Sequence, residues 1–163
     1  MRRFVFRLLP SVFCLLLLAL GCATKEPRYP ADHARFERID VAVENLRKAY
    51  AERDLSAFQT LLLPSDQIDR MELDVEKDFD AFAEITLDLS IERIFIEGET
   101  IDVYVHWQGL WKRDAADTGQ RERGHGMLRL QGVHSILLQG FEGDVPFGMF
   151  RRAPAEPPKG GPS

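Results

Sequence analysis

Residues 85–111 read ITLDLSIERIFIEGETIDVYVHWQGLW. From Ile85 the apolar residues recur at every second position, with Leu87, Leu89 and Ile91 alternating with Asp88 and Ser90. A period of two sends alternate side chains to opposite faces, the signature of a strand with one buried face. The alternation then slips, because the next matching pair is Ile94 and Ile96. One extra residue near Glu92–Arg93 restores the inward face, so a β-bulge that bends the sheet is expected there. Glu97-Gly98-Glu99-Thr100 reads as a hairpin turn. Beyond it Ile101, Val103, Val105 and Trp107 line one face, and Asp102, Tyr104, His106 and Gln108 the other.

Working downstream, a polar loop from Asp114 to Gln120 leads into a strand from Arg121 to Gln131. Matching of faces selects the register. Pairing Val105 with Leu128 and Val103 with Leu130 sets apolar against apolar. It also places Asp102 opposite Gln131, Tyr104 opposite Arg129 and Gln108 opposite His125. Gly132-Val133-His134 turns the chain into a last strand, Ser135 to Phe141, with Ile136 and Leu138 inward; Gly143 to Gly148 ends the domain.

Upstream the period is helical. Phe36, Ile39, Val43, Leu46 and Tyr50 form one stripe of a helix over residues 32–53, flanked by Ala42 and Ala49. Asp54 stands where an N-cap belongs, before Leu55, Phe58, Leu61 and Leu62, and Pro64 closes this second helix. Ser65 or Asp66 caps a third, with the stripe Ile68, Met71, Val75, Phe79 and Phe82. Three helices followed by long, bent antiparallel strands make an α+β roll.

The junction Ala49-Tyr50-Ala51-Glu52-Arg53-Asp54-Leu55-Ser56-Ala57-Phe58 and the paired strands IDVYVHWQGLW and RGHGMLRLQ resemble the nuclear transport factor 2-like superfamily, which includes SnoaL-like and ketosteroid isomerase-like domains. The resemblance covers residues 32–148. It implies three N-terminal helices packed on a curved antiparallel sheet around a cone-shaped pocket. That pocket serves isomerases, dehydratases and hydrolases as well as non-catalytic binding modules.

The N-terminus carries a second signal. Arg2, Arg3 and Arg7 are followed by an uncharged run, Leu8 to Leu20, that ends in small residues. The run is shorter than the ~20 apolar residues of a spanning helix and contains Pro10, so residues 1–21 read as a secretory signal peptide. Leu18-Ala19-Leu20-Gly21-Cys22 resembles the lipobox of bacterial lipoproteins, with Ala19 where Leu is usual. The resemblance implies a diacylglycerol on the Cys22 thiol and cleavage just before it. A signal peptide cut at a nearby Ala or Gly is the alternative. Two or more acyl chains anchor a protein stably. Cys14 leaves with the signal, so no cysteine remains for a disulfide or metal site. Ala23, rather than Asp, follows Cys22. By resemblance to enteric lipoproteins this favours the outer membrane, facing the periplasm. Residues 22–31 read as a lipidated tether, and residues 149–163, with several Pro and Gly, as a disordered tail.

Loss of residues 1–21 leaves 142 of 163 residues and takes the net charge from −5 to near −8. An acidic domain has no electrostatic footprint for nucleic acid. Candidate chemistry is sparse. Asp88, Asp102 and Glu122 are expected outward, and Tyr50 on the first helix is either a pocket hydroxyl or a satisfied core tyrosine. His106 and His125 are expected one pair apart on the solvent face, with His134 in a turn, so no metal site and no cofactor are expected. Trp107 should be core. Trp111, beside Lys112-Arg113, is expected half exposed, as an interface anchor or a rim over the pocket mouth. Tyr50, Trp107, Trp111 and Phe147 are therefore the candidate pocket or interface residues, with no catalytic residue assigned. A wet outer face with Tyr104, His106 and Arg129 favours a monomer. The reading is a lipid-anchored periplasmic protein with a non-catalytic role, binding a small apolar ligand or an envelope protein. The alternative is a small-molecule isomerase or dehydratase of the SnoaL-like kind.

Overall fold

A computed structural model of the protein describes residues 30–152. The signal segment, Cys22, most of the tether and residues 153–163 of the expected tail lie outside the described residues. Helix α1 (Pro30–Ala51), the short α2 (Leu55–Gln59) and α3 (Asp66–Ala81) precede strands β1 (Glu84–Glu97), β2 (Thr100–Lys112), β3 (Gln120–Gln131) and β4 (Leu137–Gly143). A short 3-10 helix, Met149–Arg151, follows. The strands form one antiparallel meander in the order β1-β2-β3-β4, and the three helices pack against its curved inner face through one apolar core.

Local chemistry sets the element boundaries. Helix α1 ends with Arg53 in the left-handed region and with Arg53 N–H and Asp54 N–H donating to the Tyr50 and Ala49 carbonyls, a Schellman closure. That closure presents Asp54 as the N-cap of α2, where its carboxylate accepts from the Ala57 N–H at 2.9 Å. Ser65 caps α3 in the same way, accepting from Ile68 N–H. Leu61–Leu63 leaves the helical path and exchanges hydrogen bonds with Leu138 of β4. Ile39, Val43, Leu46 and Tyr50 of the first stripe are buried, but Phe36 is 43% exposed. The stripe's first turn therefore does not reach the core.

The β1 bulge falls at Glu92, where the pairing with β2 shifts between Ile91 and Arg93. The β2–β3 register corrects the expected one by two residues. Val103 faces Leu128, Ile101 faces Leu130, Asp102 faces Arg129 and Gln108 faces Arg123. A two-residue slip keeps every side chain on its own face, so face matching does not separate the two registers. In the register that forms, Gly124 and Gly126 lie opposite Trp107 and Val105 on the concave face. A Cβ on Gly109 would strike the Trp111 ring; one on Gly124 would meet Trp107 and the Asp144 carboxylate, and one on Gly126 the Asp144 carbonyl. These glycines make room for two indoles and for the segment after β4.

That segment carries the domain past residue 148, where its end was expected. Met149 is fully buried, and Val145 and Phe147 join the core. The ordered domain continues through the 3-10 helix because these residues close the open end of the roll.

Candidate functional site

Asp78 is the one buried charged side chain among the described residues, with 0% exposure. It lies three residues after Val75 and seven after Met71, inside the apolar stripe of α3. Its Oδ2 accepts from the Tyr50 hydroxyl at 2.6 Å, Gly148 N–H at 2.7 Å and Met149 N–H at 3.1 Å. Its Oδ1 accepts from Phe150 N–H at 2.6 Å. Tyr50 in turn accepts from the Trp111 indole N–H at 3.0 Å. A buried carboxylate is costly unless its lone pairs are filled, and here Tyr50 of α1 and the amides of the C-terminal segment fill them.

Burial pushes the Asp78 carboxyl above the usual carboxylate range, while the donors on Tyr50, Phe150, Met149 and Gly148 pull it back. Tyr50 is held well above the usual phenol range, first by burial and then by the Asp78 charge. It stays a neutral phenol that donates to Asp78 and accepts from Trp111. Each of the three side chains is already engaged by the other two or by backbone.

The remaining aromatic groups close over this centre. Phe147 packs edge-on against Tyr50 at 5.1 Å and against Phe58 at 5.5 Å. Trp107 meets Trp111 edge-on and donates its indole N–H to the Asp144 carbonyl at 2.8 Å. Tyr50, Trp107, Trp111 and Phe147 thus come together in one buried cluster. Trp111 corrects the half-exposed expectation: it is 0% exposed, because Gly109 lets its ring lie flat on the concave face and Tyr50 takes its N–H. Sequence reasoning missed Asp78. A carboxylate at stripe spacing between Val75 and Phe79 was the available signal.

The convex face is different in kind. Arg93 lies over both Phe95 and Tyr104, which meet edge-on at 5.8 Å; Phe95 is 53% and Tyr104 39% exposed. His106 and His125 stand directly opposite each other with rings stacked at 4.7 Å, rather than one pair apart. His125 Nδ1 is 3.4 Å from Glu92, and His134 sits in the turn before β4. Among the described residues no group of three or more His, Cys, Asp or Glu side chains is placed to hold a metal ion. Asp88 and Asp102 face outward, but Glu122 does not share their face. It pairs with Gly109 on the parity of Leu128 and Leu130, and it accepts from Gln120 at 3.1 Å at the rim. No helix among the described residues is long and apolar enough to cross a membrane.

No family model matches the chain, and no curated protein matches its sequence. Solved structures do match its fold. A nuclear transport factor 2-like superfamily protein from Salmonella enterica serovar Typhimurium aligns with a TM-score of 0.59 at 11% identity, covering 70% of this chain and 94% of that one. A candidate scytalone dehydratase from Novosphingobium aromaticivorans aligns at 0.61 and 10% identity, covering 69% and 84%. A conserved protein from Planctomyces limnophilus aligns at 0.58 and 16% identity, covering 67% and 94%. At these identities the likeness is one of fold, and the described domain has the cone-shaped α+β fold of nuclear transport factor 2-like proteins.

Proposed function

We propose that this chain is a lipid-anchored envelope protein whose folded domain binds a partner and does not catalyse a reaction. Cys22 carries the acyl chains, and the domain stands at the outer membrane, facing the periplasm. The observation that supports a binding role is the aromatic cluster buried on the concave face. Two indoles, Tyr50 and Phe147 occupy the space between helices and sheet. The one buried acid there has its lone pairs taken by four donors. General acid–base catalysis needs a group within reach of a substrate proton, and both Asp78 oxygens are already engaged by protein donors. Binding falls instead to the convex face, where Arg, Tyr and Phe are exposed together, the residue types enriched at interface hot spots.

The test is membrane fractionation of Cys22→Ser alongside native mass spectrometry of the protein taken from its own membrane. The expected outcome is a wild-type mass that begins at Cys22 and carries acyl chains, and a variant that leaves the membrane or stays uncleaved. Unchanged membrane attachment of the variant overturns the anchor.

A second reading has one observation in its favour. Dehydratases are among the proteins of like fold, and Asp78 with Tyr50 is an acid–phenol pair. Dehydratase or isomerase activity that survives in wild type and vanishes in Asp78→Asn at unchanged stability favours that reading.

A further inference from the structure

The convex face is a grid of cross-strand rows. Thr86 stands opposite Leu110, and Leu110 opposite Arg121; in the next row Asp88 stands opposite Gln108, and Gln108 opposite Arg123. These six residues, with Gly109 and the carboxylate-bearing Glu122, line a groove of about 550 Å³ at the end of the sheet where β1 and β3 begin. Neighbouring strands lie about 4.8 Å apart, so the β3 side of the groove is about 10 Å from the β1 side.

Charge is distributed unevenly along the groove. On β3 the outward column is Arg121, Arg123, His125, Met127 and Arg129. Arg129 is bound by Asp102 at 2.8 Å and lies 3.5 Å from Glu142, and His125 faces Glu92. Arg121 and Arg123 make no ion pair or side-chain hydrogen bond with any described residue, although they are two residues apart on one face. Two guanidiniums on one face with no counter-ion among the described residues, in a chain of net charge −5, are placed to receive an oxyanion. Arginine forks do this with two parallel N–H bonds each. Across the groove the charge reverses. Asp88 accepts a long 3.3 Å bond from Gln108 and lies within electrostatic reach of the Arg47 guanidinium, and Thr86 lines the same side of the groove. Half-buried Leu110 lies between the two ends.

We propose that this groove binds a small dipolar ligand, with an oxyanion on Arg121 and Arg123, an ammonium on Asp88 and Thr86, and a short apolar spacer over Leu110. The assignment rests on the convex face being the binding face. It does not depend on the lipid anchor.

The test is a titration of the full chain in detergent with 6-aminohexanoate, followed by backbone amide shifts, with hexanoate as the probe that lacks the ammonium. The expected result is saturable binding of 6-aminohexanoate, tighter than that of hexanoate, with shifts centred on Thr86, Gln108, Leu110 and Arg123. Arg121→Gln with Arg123→Gln should weaken it at least about tenfold, since the loss of even one charge-assisted bond is worth about that factor. Asp88→Asn should lower the ratio of 6-aminohexanoate to hexanoate affinity, a change in preference that general loss of structure does not produce. Three outcomes overturn the proposal: no saturable shift, equal binding of the two probes by the wild type, or an unchanged ratio in Asp88→Asn. Any of these leaves the membrane anchor untouched, since that turns on the Cys22→Ser fractionation.

Discussion

On the concave face of the sheet, Gly109, Gly124 and Gly126 give up their side chains to Trp111, Trp107 and the segment at Asp144. On the convex face, their neighbours Gln108, Arg123 and His125 point into water. The same strands build both surfaces from alternate residues. Inside, ring meets ring, the indole N–H groups have acceptors, and the buried carboxylate is saturated. Outside, two guanidiniums have no counter-ion among the described residues, and aromatic rings stand half in water beside Arg93. Polar groups that are already satisfied have nothing left to offer a ligand, whereas unsatisfied ones do. That contrast leaves the outer surface of the sheet, rather than the cone, with polar groups free to engage a partner.

The contrast can be broken most severely at Asp78. Replacement by Ala leaves the Tyr50 hydroxyl and the amides of Gly148, Met149 and Phe150 without their acceptor. Buried networks broken on one side lose about 3–5 kcal/mol, so denaturant unfolding should show a loss of that size. The Gly148–Phe150 amides should exchange first. A loss below about 1 kcal/mol, within the range of an ordinary surface change, would mean that the network does not hold the roll closed.

A smaller effect comes from giving the concave face a side chain. Gly124→Val pushes a branched carbon into Trp107 and Asp144 and should cost about 1–3 kcal/mol by overpacking, or more if the ring cannot move. The same experiment one residue away, Arg123→Ala, should stay within about 0.5 kcal/mol. Equal costs at the two positions would erase the distinction between the faces.

A smaller effect than at Gly124 should come from Tyr104→Ala, which removes one ring beneath Arg93 and its edge contact with Phe95. Exposed cation–π and aromatic pairs contribute about 0.5–1.5 kcal/mol each, so thermal unfolding should move by no more than a few degrees. Binding through the convex face, read by crosslinking in the membrane, should fall much further than stability does.

Much of the fold was legible along the chain. The period change at Ile85, the extra residue at Glu92 and the caps Asp54 and Ser65 are local chemistry, and local chemistry is written in neighbouring letters. The register of β2 on β3 was not, since a slip of two residues preserves both faces. Nor was the site legible. Asp78 sits in an apolar stripe where a carboxylate looks like an interruption, and its backbone donors come from 70 to 72 residues further on. The burial of Trp111 depends likewise on Tyr50, 61 residues away.

By itself, then, the sequence determined which residues form helices and strands and which way each strand faces, because periodicity and capping act over a few residues. Tertiary structure alone decided that Tyr50, Trp107, Trp111 and Phe147 pack into one buried cluster, that the one buried acid among the described residues is spent on holding the C-terminal segment, and that Arg121 and Arg123 have no counter-ion among the described residues. Those outcomes depend on which distant groups meet, and a carboxylate or guanidinium acquires its role only from the partners that the fold brings to it or withholds.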